Sequence, residues 1–197
     1  VFISIEGLDG SGGTTQLERL RAAWGERAPG RPVVCSREPS PGPVGVLTRQ
    51  ALADTTIGEN VLPYLFAGDR RDHFDRVILP ALAAGAVVLT DRCALSSLAY
   101  QSLAVGMDKV WALNKDFPPP DLTVMLDLPP AECLTRILAR GGARDRFETL
   151  ARLEEIAASY EASIALAQAH GWNIARVDAR GTPDEVAQRV AEVVWPA

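Results

Sequence analysis

Apolar residues along the chain gather into five short runs, separated by longer stretches in which they recur at every third or fourth position. The runs at 1–5, 31–36, 86–90, 122–128 and 172–178 suit strands buried on both faces, and the stretches between them carry helical spacing. Helices are predicted over 15–24 with a stop at Gly25, over 44–53, from about 59 to 84 with a kink at Pro80, over 96–104, and for a turn or two at 110–115. Others are predicted over 131–138, in a long stretch to about 170, and from Pro183, a residue suited to a first helical turn. Strands that alternate with helices predict an α/β fold of three layers, a central, mainly parallel five-stranded sheet flanked by helices. Residues 37–43 hold three prolines and a glycine and read as a loop. No repeat, low-complexity tract or linker interrupts the pattern, so residues 1–197 are expected to form a single domain.

Composition narrows the ligand class. Of 197 residues, 47% are hydrophobic and 23% charged, with a net charge of -5. An acidic surface does not hold long nucleic acid by its overall field, so small phosphorylated ligands bound by a local cluster fit better. Cys35, Cys93 and Cys133 are odd in number and widely spaced, which argues against a disulfide frame or a zinc site and makes a reducing cytoplasm the expectation. No leader pattern opens the chain and no apolar run reaches membrane-spanning length, so no membrane association is expected.

The first strand runs into Gly7-Leu8-Asp9-Gly10-Ser11-Gly12-Gly13-Thr14-Thr15. Four glycines in seven positions let successive backbone N–H groups curl around an anion, and the helix that follows aims its positive end at the same point. Against the P-loop pattern G-x-x-x-x-G-K-[ST], Gly7, Gly12 and Thr14 fit, whereas Gly13 stands where the lysine belongs. A tight connection with no ligand is the bland alternative; the strand before and the helix after favour phosphate binding. Thr14 is placed to offer its hydroxyl to a magnesium ion that bridges phosphates.

Asp91-Arg92 follows the third strand, at the carboxyl end where an open α/β sheet keeps its ligand crevice, with Ser96, Ser97, Tyr100 and Gln101 on the next helix. An ordinary helix start with a surface arginine explains the pair equally well. Phe66 and Arg70 share a helix face, where Phe66 also suits the core. Arg136, Arg140, Arg144 and Arg146 read either as a solvated helix end or, with Gly141 and Gly142 among them, as a flap over about 139–148 that closes on phosphates. His73 and His170 lack the spacing of metal ligands.

Five separated segments resemble bacterial thymidylate kinases. They are Ile5-Glu6-Gly7-Leu8-Asp9-Gly10-Ser11-Gly12; Arg37-Glu38-Pro39; Leu65-Phe66-Ala67-Gly68-Asp69-Arg70; Asp91-Arg92 with Ser96-Ser97-Leu98-Ala99-Tyr100-Gln101; and Pro120-Asp121-Leu122-Thr123 with Leu126-Asp127-Leu128-Pro129-Pro130. The resemblance implies a P-loop NTPase fold with a short lid, and a nucleoside monophosphate kinase that moves the γ-phosphoryl of ATP to dTMP, giving dTDP for dTTP synthesis, with Mg²⁺. It implies that Phe66 stacks on thymine and that Arg70 and Gln101 bond the base edge. Ser97 would line the base pocket beside Pro39, and Tyr100 would lie against the deoxyribose. Arg92 and Arg49 would hold the dTMP phosphate, with Asp9 and Glu38 near sugar, phosphate and metal. Gly7, Gly10, Ser11, Gly12, Gly13, Thr14 and Thr15 would hold the ATP phosphates, Arg140 and Arg180 would edge the adenine, and Arg144 or Arg146 would reach the transferring phosphate. A homodimer is also implied.

The chain departs from the family pattern at Gly13, at Cys93 in place of a tyrosine, at Ser40-Pro41-Gly42 in place of Gly-Gly-Thr, and in a shortened segment before Pro120. Loss of one preorganised cation at a developing phosphoryl charge is worth about 10² to 10³ in rate. Either a flap arginine takes the lysine's electrostatic place, or the chain binds nucleotide with little turnover as a regulatory or interaction module, or it serves another pyrimidine deoxynucleotide.

Overall fold

The computed structural model describes residues 1–141 and 147–196. Strands β1 (Phe2–Gly7), β2 (Val33–Arg37), β3 (Val87–Asp91), β4 (Leu122–Asp127) and β5 (Ile174–Asp178) form one sheet in the order β2-β3-β1-β4-β5. Every pairing is parallel. β1 is buried along its whole length, its polar Ser4 and Glu6 included. Both β3 and β4 pair with β1, so the strand order reverses at β1 and opens a crevice at its carboxyl end.

The helices are α1 (Gly13–Arg27), α2 (Pro43–Ala53), α3 (Leu62–His73), α4 (Leu79–Ala83), α5 (Ala94–Val105), α6 (Met107–Asn114), α7 (Pro130–Arg140), α8 (Leu150–Ala169) and α9 (Pro183–Val194). α1 and α9 pack together, α1 against β1 to β3 and α9 against β4 and β5. α5 packs on β1 and, more extensively, on α8. Thr182 and Glu185 form a capping box that opens α9, with Pro183 in its first turn, so this helix starts where the sequence places it.

The helix expected over 59–84 is present over 62–83, with one irregular turn inside it. It begins at Leu62, and between α3 and α4 the chain widens into a π-helical turn, Phe74–Ile78, in which the N–H of Leu79 reaches back to the carbonyl of Phe74. Pro80 has no N–H to continue the regular ladder, and the widening falls one turn before it. α6 is longer than the expected turn or two. β5 begins two residues later than its apolar run, because Trp172 N–H still bonds Ala167 at the end of α8.

Candidate active site

The glycine segment joins β1 to α1 at the crevice. Gly12, with φ 103°, precedes α1 as its N-cap, and Ser11 N–H bonds Leu8 O at 3.0 Å to close the turn. At Gly10 (φ 86°) a Cβ would lie 2.5 Å from the Cys133 carbonyl oxygen, so α7 approaches closely enough that only glycine fits. The result is a cavity of about 610 Å³ lined by Gly7, Asp9, Gly10, Ser11, Gly12, Gly13, Thr14 and Thr15 together with Asp91, Arg92, Arg136 and Arg140. Arg136 Nη2 donates to Ala179 O at 3.0 Å, which ties α7 to the segment after β5.

A side chain at Gly13 would point at Asp91, its Cβ lying 2.8 Å from Oδ1. The other Asp91 oxygen accepts from the Thr14 hydroxyl at 2.5 Å. An anion therefore faces the position where the P-loop pattern has a cation. Thr14 and Asp91 are hard oxygen donors at the edge of the cavity, a set that suits Mg²⁺, which takes one or two protein ligands and completes its shell with phosphate and water. Among the described residues no group of three or more His, Cys, Asp or Glu is placed to hold a metal by itself.

A second cavity, of about 160 Å³, is lined by Asp9, Glu38, Pro39, Leu52, Phe66, Arg92, Ser96, Tyr100, Gln101 and Phe147. Gln101 Oε1 is buried here without a hydrogen-bond partner, an acceptor left over for a ligand. Tyr100 donates to Asp9 Oδ2 at 3.1 Å and packs edge-on against Phe147, with ring centres 5.5 Å apart.

Asp9 and Arg92 belong to both cavities. Arg92 follows β3 with φ 71°, a left-handed conformation that costs a non-glycine residue about 1–3 kcal/mol and is held here by its contacts. Its N–H bonds Ile5 O at 2.9 Å; Nη1 donates to Gly7 O at 3.0 Å and to Ser96 Oγ at 2.9 Å, and Nη2 to Asp9 Oδ1 at 2.8 Å.

The other residues marked in the sequence are placed as follows. Arg70 is fully buried behind the smaller cavity, its guanidinium donating to Glu38, Asn114 and, at 3.0 Å, Ser97 Oγ. Burial alone would raise the Glu38 carboxyl, but Arg70 and His73 outweigh it and hold the group below its ordinary range. Arg49 Nη1 donates to the carbonyls of Pro39 and Ser40, both at 2.7 Å, and pins the loop after β2. Arg140 pairs with Glu148 at 2.9 Å while lining the large cavity. Arg180 pairs with Asp178 and borders a separate groove. Cys93 is buried, its N–H donating to Glu6, and does not line the smaller cavity. Arg144 and Arg146, with the rest of segment 142–146 of the flap, lie outside the described residues.

Glu6 is the only carboxylate within the apolar β1 run, and it sits under the whole site. Oε1 accepts from Cys93 N–H at 2.7 Å and Oε2 from the Ser96 hydroxyl at 2.5 Å, and burial pushes the carboxyl up to about 7. Tyr160 on α8 bonds Gly7 O at 3.1 Å and touches Ser96 at 2.9 Å, so the helix layer also braces the turn.

The model described as "Thymidylate kinase" matches residues 5–190. The chain belongs to the thymidylate kinase family. It is 40% identical over 198 residues to "Thymidylate kinase" of Xanthomonas campestris pv. campestris (strain B100), covering 100% of this chain and 84% of the relative. It is 36% identical over 214 residues to "Thymidylate kinase" of Xanthomonas oryzae pv. oryzae (strain PXO99A), covering 98% and 93%. "Probable thymidylate kinase" of Pyrobaculum aerophilum is 38% identical over 195 residues, covering 98% and 95%. The all-parallel sheet, helix layers and glycine turn are the P-loop kinase fold of that family.

Sequence reasoning did not mark Leu52 and Phe147 as cavity residues, nor Asp91 as a partner of Thr14. It had a signal for Asp91, which ends a buried strand beside the crevice. Leu52 and Phe147 carry no such signal, since an apolar residue near a loop reads as core.

Proposed function

We propose that the chain transfers the γ-phosphoryl of ATP to dTMP. The observation that supports this most directly is the meeting of two cavities, one of about 610 Å³ floored by the glycine turn and one of about 160 Å³ walled by aromatic rings, at the shared Asp9–Arg92 pair. ATP places its phosphates on the backbone N–H groups of Gly10 to Thr15 at the start of α1. dTMP places its base in the smaller cavity against Phe66, with Gln101 Oε1 accepting from the base N–H and Tyr100 closing over the sugar. Arg92 then lies between the two phosphoryl groups and neutralises both.

The phosphate oxygen of dTMP is already ionised and attacks the γ-phosphorus. Its new bond forms as the bond to the β-phosphate oxygen breaks, and ADP leaves with the electron pair. No general base is required, so the residues contribute positioning and charge. Mg²⁺, held by Thr14 and Asp91, would neutralise the donor phosphates when bound. Flap arginines Arg144 and Arg146 close over the transferring group, Arg140 and Arg180 flank the nucleotide base, and Arg49 keeps the acceptor loop in place. The single unit 1–197 works as a cytoplasmic homodimer.

Purified protein incubated with MgATP and dTMP is expected to form dTDP and ADP in equal amounts. No dTDP above a control lacking enzyme overturns the proposal. The anion opposite Gly13 favours a second reading, nucleotide binding without turnover, and calorimetric binding of both nucleotides in the absence of product would support it.

A further inference from the structure

Building on transfer from ATP, we infer that Arg37 supplies the cation missing from the glycine turn. The pattern of β2 fixes which way Arg37 faces. Ser36 Oγ lies 2.7 Å from His73 Nε2, and Glu38 Oε1 lies 3.3 Å from His73 Nδ1, so both of these residues point to α3. Strand alternation sends Cys35 and Arg37 to the opposite side, towards α1. They line a cavity of about 250 Å³ there together with Thr14, Leu17, Pro41, Asp91 and Ser36.

Arg37 is the register partner of Asp91, one strand away, and Asp91 is the group at which any side chain on Gly13 would point. The Asp91 carboxylate accepts from the Thr14 hydroxyl and keeps its second oxygen towards Gly13. Among the described residues the Arg37 side chain makes no hydrogen bond or ion pair.

The cavity that Arg37 lines shares Thr14 and Asp91 with the large one, whose own described cations, Arg92, Arg136 and Arg140, each have other partners. Arg92 is paired with Asp9 and Arg140 with Glu148. Arg136 donates to the carbonyl of Ala179, after β5 and on the far side of β1 from Asp91, at 3.0 Å and to that of Ser11 in the glycine turn at 3.4 Å. Arg37 combines a side chain without an ion pair with the Asp91 side of the turn, the side that Gly13 leaves open. Glycine at 13 gives a long guanidinium from β2 room to pass beside Thr14 and reach the β- and γ-phosphates. The Arg37 backbone, at a strand end, is in place before the flap closes, so only the side chain has to turn to the phosphates. Its forked donors bind two phosphate oxygens at once, where a lysine acts as a point charge.

Arg37→Ala is expected to lower turnover with MgATP and dTMP by about 10² to 10³-fold, to weaken a non-hydrolysable β,γ-methylene ATP analogue about tenfold, and to leave the Kd for dTMP unchanged. Gly13→Lys in the Arg37→Ala background is expected to restore at least about tenfold of the lost turnover, while the same change in the parent gives no gain. Turnover of Arg37→Ala within threefold of the parent overturns the inference and leaves the charge to Arg144 and Arg146. Equal loss of dTMP and analogue affinity also overturns it, because Arg37 then serves the acceptor loop. A parent chain without turnover defeats the proposed function instead, and analogue affinity of Arg37→Ala against the parent still decides the role of Arg37.

Discussion

Arg92 and Asp9 form one ion pair that is shared by two cavities, with Arg92 Nη2 2.8 Å from Asp9 Oδ1 and both side chains in the common wall. The same guanidinium reaches Gly7 O and Ser96 Oγ through its other nitrogen, so it registers the acceptor side against the glycine turn. A lysine keeps the charge but cannot hold three partners in a fixed fork. Arg92→Lys is therefore expected to lower kcat/KM for dTMP by about 10²-fold or more. Steady-state kinetics over a range of dTMP concentrations would check it, and a change below threefold would show that charge alone suffices.

Arg70 and Glu38 are an ion pair with both side chains almost wholly out of solvent. Arg70→Met leaves Glu38 buried beside His73 with its main cation gone, a change worth about 3–5 kcal/mol of stability. Glu38→Gln added to Arg70→Met removes the stranded charge and is expected to recover much of that loss. Urea unfolding of the parent and the single and double variants at one pH tests this. A double variant no more stable than Arg70→Met would mean that packing of the arginine stem, and not its charge, carries the effect.

The five strands were legible because each is a buried apolar run bounded by turn residues, and the glycine turn because backbone curvature of that kind requires glycines at fixed spacing. Other features depend on distance in space. Nothing local to Pro80 shows that the helix will widen a turn ahead of it. Arg70 and Arg92 look alike in sequence, yet one is locked behind the acceptor cavity by Glu38 and Asn114 while the other stands in the wall of both cavities. Arg37 sits in a segment that reads as the start of a loop, and only the pairing of β2 with β3 brings it beside Asp91. Phe147 directly follows the segment 142–146, and its contact with Tyr100 spans too much chain for any periodic signal.

Gln101 lines the acceptor cavity with a buried carbonyl oxygen that has no partner. Leaving such a group unpaired costs about 1–3 kcal/mol, which a ligand N–H recovers on binding. Gln101→Leu is accordingly expected to weaken dTMP by roughly tenfold, to leave the ATP analogue unaffected, and to keep or slightly raise the melting temperature. Calorimetry with each nucleotide and a thermal melt of the free protein measure these together. Undiminished dTMP affinity would assign the unpaired oxygen to the apo packing and not to the base.

Glu6 ties the stability of the site to pH. Its carboxyl is ordinarily near 4.5 and is pushed up to about 7 in the fold, chiefly by burial, against the opposing hydrogen bond from Ser96 and the charge of Arg92. The folded state holds this proton more tightly than the unfolded chain, so the contribution of Glu6 to stability is complete below about pH 4.5. It is lost progressively as pH rises towards 7. At about 1.4 kcal/mol per pKa unit the full swing is on the order of 3 kcal/mol. Glu6→Gln removes the titration while keeping an acceptor and gaining a donor, and it is expected to gain stability relative to the parent as pH rises from 5 to 8. For a chain of this size the difference in melting temperature between variant and parent should widen by several degrees, at about 2–4 °C per kcal/mol. Melts of both proteins at pH 5, 6, 7 and 8 test the sign. A difference that stays flat or narrows with pH would mean that Glu6 is ionised throughout, with Arg92 and the donors from Cys93 and Ser96 outweighing its burial.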